Sequence, residues 1–252
     1  MSSFKSRIPS NWDEVYLDQY VELVKINDKD ISFYRKQIEV ISILLDILPD
    51  DDEWDDVDTY DLNEIMRNLK WTSLEPTINY CKVINDYKCI GVDNLTFGEF
   101  IDIDYLFTED CIGNINKICA IFFRKYKTDE WGNIVYEPYG KYDLDIRKLE
   151  FDEQPITSVY GVVKLYRDYK INIQSVYETI FEPVIEDDDE LEEEYDIEEK
   201  KIIEEESLMK HWGWENVIYK LANGDVTKYD DITNLPLVFI LNQLSFIKDM
   251  KL

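Results

Sequence analysis

The first part of the chain repeats apolar residues at helical spacing. Between residues 12 and 70, three groups of apolar side chains recur every three or four positions, the period of one helical face. The groups are Leu17, Tyr20, Val21 and Val24; Tyr34, Ile38, Ile41, Leu45 and Leu48; and Leu62, Ile65, Met66 and Leu69. The pattern predicts three helices. The third is expected to begin at Asp61, because Glu64 follows at the spacing of a capping box.

The hydrophobic period changes in residues 77–92. Branched and aromatic residues flank the pair Asn85-Asp86, an arrangement typical of a tight β-hairpin. This hairpin is expected to be the main β element of the chain.

Helical patterns then dominate up to residue 182. Thr96 and Glu99 form a second capping-box pattern, which opens a helix predicted to run to about Phe107. The stretch "NINKICAIFFRKY" predicts an apolar helix, and a surface loop or short ribbon follows around the turn of residues 131–133. Three more helices are predicted: "DLDIRKLEF", a helix that starts near Pro155, and a last one over about 172–181.

An acidic segment separates this part from the C-terminal region. Residues 186–206 contain 14 acids and two lysines. Their apolar residues are too few for a complete buried face. The segment is therefore predicted to be a connector that is flexible, or helical only against a basic partner.

The C-terminal residues predict a small helical hairpin. Its first helix ends at Asn223-Gly224, a left-handed stop, and its second is opened by Asn234 and Pro236. The apolar faces are Trp212, Trp214, Val217, Ile218 and Leu221, and Leu237, Ile240, Leu241, Leu244 and Ile247. Two short helices bury too little surface by themselves, so they are expected to dock on the body or on another chain.

These patterns predict a mainly α fold with a small β-hairpin, an α+β protein with a helical body. The predicted regions are an N-terminal helical region, 1–76; an α+β region with the hairpin, 77–182; the acidic connector, 183–206; and the C-terminal helical hairpin, 207–252.

Charge narrows the classes of partner. The formal net charge of the 252 residues is −28, and the acidity extends well beyond the connector. Such a surface repels phosphate backbones, so we expect no direct binding of nucleic acid. Three interpretations remain open: a solubility device, which is favoured, a partner for basic protein surfaces, or a mimic of nucleic acid.

The four cysteines predict neither a zinc site nor a disulfide. No two cysteines have C-x-x-C spacing, and no histidine is near them. Cys111 and Cys119 flank a predicted helix and lie eight positions apart, about 12 Å along its axis, which is too far for a bridge. In the predicted hairpin, Cys81 and Cys89 point to opposite sides. Free, mostly buried thiols in a reducing compartment are expected.

No stretch of the sequence predicts a leader or a membrane span. The first 15 residues lack an apolar core, and no segment approaches 18 apolar residues. We expect a soluble protein that is made in the cytoplasm.

The sequence predicts no catalytic, cofactor-binding or metal-binding residues. His211 is the only histidine, and no nucleophile motif accompanies it. No glycine-rich phosphate loop occurs, and the acidic stretch 49–58 lacks the central glycine and the terminal glutamate of a calcium loop. The aromatic stripes near Phe97 and Phe122 have no basic track beside them, which favours core positions over base stacking. The chain is therefore not expected to be an enzyme.

Several stretches together resemble structural proteins of tailed bacteriophages. "IPSNWDEVYLDQYVELVKI" is similar to the beginning of such proteins, and "LTFGEFIDIDYLF", "NINKICAIFFRKY" and "ITSVYGVVKLYRDY" are similar to a recurrent phage pattern. In that pattern an apolar helix ends in arginine and a proline-containing helix carries an internal glycine. "WGWENVIYKLANGDVTKYDDIT" resembles the C-terminal end of virion proteins of crAss-like phages.

The resemblance implies a non-enzymatic virion protein that contacts other virion proteins in a multi-copy assembly. The expected role is a structural component of the tail or portal region, or cargo ejected with the genome. The residues predicted to contact partners are Trp212, Trp214, Tyr219 and Leu241, since aromatic anchors dominate interfaces. The alternative is that these residues pack on their own chain.

Two competing functions share the same sequence features. A tail-assembly chaperone would also combine a helical body with an acidic arm. An acidic inhibitor that mimics nucleic acid is less favoured, because the acids cluster in 49–56 and 186–206 instead of forming regular rows.

Overall fold

The chain folds into a mainly α-helical protein with a small antiparallel sheet. The computed structural model describes residues 6–52, 54, 57, 59–77, 79–181 and 213–250. It divides into two compact units, an N-terminal unit of residues 1–90 and 105–167 and a C-terminal unit of 91–104 and 168–252. This content of helix and sheet confirms the predicted fold class. The predicted acidic connector, 183–206, lies outside the described residues.

The three helices predicted at the start of the chain are all present. They are α1 (Leu17–Ile26), α2 (Phe33–Leu45) and α3 (Thr59–Asn68). Ser32 caps α2 by accepting a hydrogen bond from the amide of Arg35. The predicted start of the third helix was wrong by two residues, because α3 begins at Thr59 and Asp61 lies inside its first turn.

The predicted hairpin is confirmed as part of a larger sheet. Strands β1 (Val83–Ile84) and β2 (Tyr87–Cys89) pair around the turn at Asn85-Asp86, where Asn85 adopts a φ of 50°. Asparagine tolerates this left-handed conformation better than most residues do. Two further strands, β3 (Phe123–Thr128) and β4 (Ile134–Tyr136), complete an antiparallel sheet in the order β1-β2-β3-β4.

The apolar helix predicted before this second hairpin is shorter than expected. Helix α5 (Ile115–Phe122) ends where β3 begins, and Phe123 has an extended backbone. The prediction of a helix ending in arginine was therefore wrong. The reason is non-local, because residues 123–125 pair with β2 and this pairing replaces the helical hydrogen bonds.

Short helices and the start of a long one close the core of the N-terminal unit. They are α6 (Leu144–Arg147), α7 (Leu149–Asp152), α8 (Ile156–Val159) and the beginning of α9 (Gly161–Val176). Pro155 forms a β-bridge with Tyr16, which joins the start of α8 to the start of α1. Phe122, Phe123, Phe151 and Tyr166 are completely buried in this core.

Among the described residues, six helices contribute to the C-terminal unit. They are α4 (Phe97–Asp110), α9, α10 (Glu178–Phe181), α11 (Trp214–Leu221), α12 (Tyr229–Thr233) and α13 (Leu237–Asp249), and α4 and α9 also extend into the N-terminal unit. The predicted helix over 172–181 is instead the end of α9 followed by α10. The predicted C-terminal hairpin contains α12 as an additional short helix.

Within the described ranges, no helix combines the length and the apolar character that a membrane span requires.

Candidate functional site

The C-terminal unit contains the residues that the sequence predicted as partner contacts, and its framework begins at α4. The amide of Thr96 donates to the Glu99 carboxylate at 2.8 Å, and the amide of Glu99 donates to the Thr96 hydroxyl at 3.3 Å. These reciprocal bonds confirm the predicted capping box. They hold the first turn of α4, from which Phe97 and Phe100 project into the core.

A pair of backbone hydrogen bonds attaches α13 to the same turn. The amide of Phe97 donates to the carbonyl of Leu235 at 2.9 Å, and the amide of Leu237 donates to the carbonyl of Leu95 at 3.0 Å. The bonds flank Pro236, the residue immediately before α13. The entry to α13 is therefore held in one position by backbone groups.

Trp214 stands at the centre of an aromatic cluster. Its ring meets Phe97, Phe100 and Phe181 edge to face, with centroid distances of 5.5, 5.4 and 6.0 Å. Such edge-to-face pairs stabilise by about 0.5–1.5 kcal/mol each beyond the burial of their area. The half-buried Trp214 ring thus packs on its own chain.

The four predicted contact residues have different surroundings. Leu241 is completely buried, and Trp214 belongs to the aromatic cluster, so both follow the alternative of packing on their own chain. Tyr219 is 54% exposed on α11. Trp212, like His211, lies outside the described residues.

The outer face of α13 carries large apolar residues that the sequence analysis did not single out. We call Phe239, Phe246 and Met250 the outer stripe; they are 54%, 54% and 56% exposed. Their spacing of seven and four positions places them on one side of the helix. Leu237, Ile240 and Leu241 on the other side are buried. The available signal was that α13 is apolar on both sides, which a single buried face does not require.

The titratable groups between α1 and α2 form a solvated surface. An open groove of about 330 Å³ between α1 and α2 is lined mainly by charged and polar residues, including Asp18, Glu22, Lys29 and Glu39. Lys29 donates to Glu39 at 2.8 Å, and this bond lowers the pKa of the Glu39 carboxyl. Across the described residues, no group of three or more His, Cys, Asp or Glu side chains has the geometry to hold a metal ion.

The cysteines in the structure are free thiols. Cys119 is buried, Cys89 and Cys111 are half-buried and Cys81 is exposed. The prediction of free thiols is confirmed, whereas the prediction that most are buried was wrong. Lys82 lies opposite Cys89, since the Cys89 amide donates to the Lys82 carbonyl at 3.0 Å.

Comparisons with known proteins give no relative: no family model matches the chain, and no curated protein or solved structure is significantly similar to it.

Proposed function

We propose that the chain is a non-enzymatic bacteriophage virion protein, a structural component of the tail or portal region or a cargo protein of the virion. It is made in the host cytoplasm and enters the particle, where it acts through contacts with other virion proteins in a multi-copy assembly. The proposal starts from the resemblance of several stretches to phage structural proteins.

The outer stripe of α13 is the observation that carries the proposal. Phe239, Phe246 and Met250 place three large apolar side chains on one line, each more than half exposed. Exposed apolar surface of this kind is typical of protein interfaces, and aromatic residues contribute most to their affinity. Tyr219 adds a further exposed aromatic residue in the same unit.

The net charge of −28 suits a position beside the genome. An acidic surface repels DNA, so the protein would not retard nucleic acid that moves past it. Retention of the purified protein on immobilised double-stranded DNA at 50 mM salt would contradict this part of the proposal; we expect none.

Mass spectrometry of purified particles tests the proposal directly. The double variant Phe239→Ser/Phe246→Ser removes both aromatic side chains of the outer stripe, while Leu241 and the core beneath it remain. We expect this variant to melt like the parent protein and to be lost from particles. Deleting the whole C-terminal region would not be informative, because Trp214 and Leu241 belong to the core of the unit.

Phe33→Ser provides the matched control. Phe33 is 77% exposed on α2, in the N-terminal unit, so its substitution also removes an exposed phenylalanine. We expect this control to enter particles normally. Absence of the parent chain from particles, together with its recovery bound to one virion protein in lysate, would contradict the proposal and favour the assembly chaperone.

A further inference from the structure

The strands of the sheet carry a local excess of positive charge in an otherwise acidic protein. Its four strands contain Lys88, Arg124, Lys125 and Lys127 and no acidic residue, although the chain has 55 acids against 27 lysines and arginines. Lys125 and Lys127 are exposed, and no carboxylate among the residues with described positions forms an ion pair with them. The Lys125 ammonium lies 5.6 Å from the centre of the Tyr87 ring, so Lys127 is the charge most available to a partner.

The strand register separates the two faces near β4. Lys127 lies opposite Val135, and Lys125 shares that face because it is two positions away. Tyr126 lies opposite Tyr136 on the other face, which Ile134 shares. On the first face Glu137 lies opposite Lys125 and its carboxylate bonds Arg147, so Lys127 is the cationic side chain beside β4 there. The other face beside β4 is aromatic and apolar.

The outer edge of β4 offers backbone hydrogen-bonding groups. The amide of Glu137 donates to the backbone carbonyl of Lys125 at 2.8 Å, and the amide of Asp129 donates to the backbone carbonyl of Asn133 at 2.9 Å. Backbone groups alternate in direction along an antiparallel pair. The amide and carbonyl of Val135 therefore point toward β3, and those of Ile134 and Tyr136 point away from it. In the described sheet β4 has one neighbour, so these outward groups face the open edge.

Both ends of β4 are held in place. Arg147, which is 6% exposed, bonds the Glu137 carboxylate, and Arg124 donates to the Glu137 carbonyl at 3.1 Å. At the other end the Asp129 carboxylate accepts from the amides of Trp131 and Asn133 at 2.9 and 2.8 Å. The edge is thus formed before any partner arrives, which lowers the entropy cost of binding.

An exposed tryptophan lies next to this edge. Trp131, in the turn between β3 and β4, is 84% exposed. Tryptophan is among the residues most enriched at the energetic centres of interfaces.

We propose that the β4 edge binds an extended segment of another protein in which acidic and apolar residues alternate, added as a fifth strand. The inference rests on the proposed function and names the class of partner. The segment would place acids on the face of Lys125 and Lys127 and apolar side chains on the face of Tyr126, Tyr136 and Ile134. An acid opposite Val135 lies about 10 Å from the backbone of Lys127, within reach of two long side chains.

Nucleic acid fits this surface less well than a peptide does. Asp129 and Glu130 at one end and Glu137 at the other limit the cationic track to the length of a short strand. The outward amides and carbonyls of Ile134 and Tyr136 match the ladder of a peptide backbone.

The experiment measures binding of a fluorescein-labelled peptide of four Glu-Val repeats to the full chain by fluorescence anisotropy. The comparison probes are four Lys-Val repeats, a Glu-Pro peptide that cannot donate ladder hydrogen bonds, and oligothymidylate. We expect saturable binding of the Glu-Val peptide alone. Equal binding of the Glu-Pro peptide, or tighter binding of oligothymidylate, would overturn the proposal.

Two variants locate the site. Lys127→Glu should lower the affinity for the Glu-Val peptide by about fivefold to tenfold. Lys220→Glu, the same charge change at an exposed position of α11, should alter this affinity by less than about twofold. Ile134→Pro should abolish binding yet keep the sheet, because its amide points outward. Equal effects of the two charge reversals, or unchanged binding by a folded Ile134→Pro, would refute the site. The peptide assay does not involve particles, so its failure is distinct from failure of the proposed function.

Discussion

Gly161, the first residue of α9, lies against the backbone of Asn79. Its amide donates to the carbonyl of Asn79 at 2.9 Å, and a Cβ at this position would lie 2.6 Å from the carbonyl carbon and oxygen of Asn79. Since those atoms belong to the backbone, no rotation of a side chain relieves the clash.

We therefore expect Gly161→Ala to lower the free energy of unfolding by about 1–3 kcal/mol, the usual range for overpacking. Urea unfolding followed by circular dichroism measures the change. Gly113→Ala is the matched control, because the atoms nearest its Cβ would belong to the Asp110 side chain, which can rotate, and not to the backbone. An equal loss in the two variants would show that the close approach to Asn79 is unimportant.

The cysteines are expected to react with an alkylating reagent in the order of their exposure to solvent. Burial raises the pKa of the Cys111 thiol to about 11, and burial also raises the pKa of Cys119. Because the thiolate is the reactive form, iodoacetamide at pH 8 should label exposed Cys81 first and leave Cys119 unmodified. Peptide mass spectrometry gives the order, with urea-unfolded protein as the control in which all four react. Early labelling of Cys119 in folded protein would contradict the burial described here.

At the scale of elements, Trp214 holds α11 against α4 and α10. Its ring contacts Phe97, Phe100 and Phe181 within the C-terminal unit. The same residue was predicted as a partner contact from sequence, and the two roles predict different effects of its removal.

Trp214→Ala should destabilise the C-terminal unit by about 2 kcal/mol, below the range for a fully buried tryptophan because Trp214 is half-buried. Hydrogen exchange of α11 and α13 measures this effect locally. Trp131→Ala is the control at an 84% exposed tryptophan, and it should change stability by less than about 0.5 kcal/mol. Unchanged exchange in Trp214→Ala would show that the cluster contributes little.

At the scale of the whole molecule, self-repulsion opposes folding. The net charge is −28, and exposed ion pairs such as Lys25–Glu22 each stabilise by less than about 1 kcal/mol. The Debye length falls to about 8 Å at physiological ionic strength, so salt weakens the repulsion between distant charges more than it weakens the attraction within these close pairs.

The melting temperature should therefore rise by several degrees between 20 and 300 mM sodium chloride. Calorimetry measures the shift, and potassium glutamate replaces the chloride salt to separate screening from specific ion effects. A fall in melting temperature with salt would mean that local ion pairs outweigh the net repulsion.

Local signals in the sequence determined much of the secondary structure. The helical periods of residues 12–70, the capping box at Thr96, the turn at Asn85 and the stop at Asn223-Gly224 were all predicted. Each depends on interactions between residues a few positions apart, so each is visible in a short window of sequence.

Tertiary structure decided which surfaces are covered. Phe123 leaves the helix because β2 offers it a pairing edge. Leu241 is buried and Phe239 is exposed because, among the described residues, the neighbours of α13 pack against one side of it. Sequence alone determined that these residues are apolar and which period they follow. Strand pairing and the choice between two apolar faces depend on residues far away along the chain, and only the folded arrangement brings those residues together.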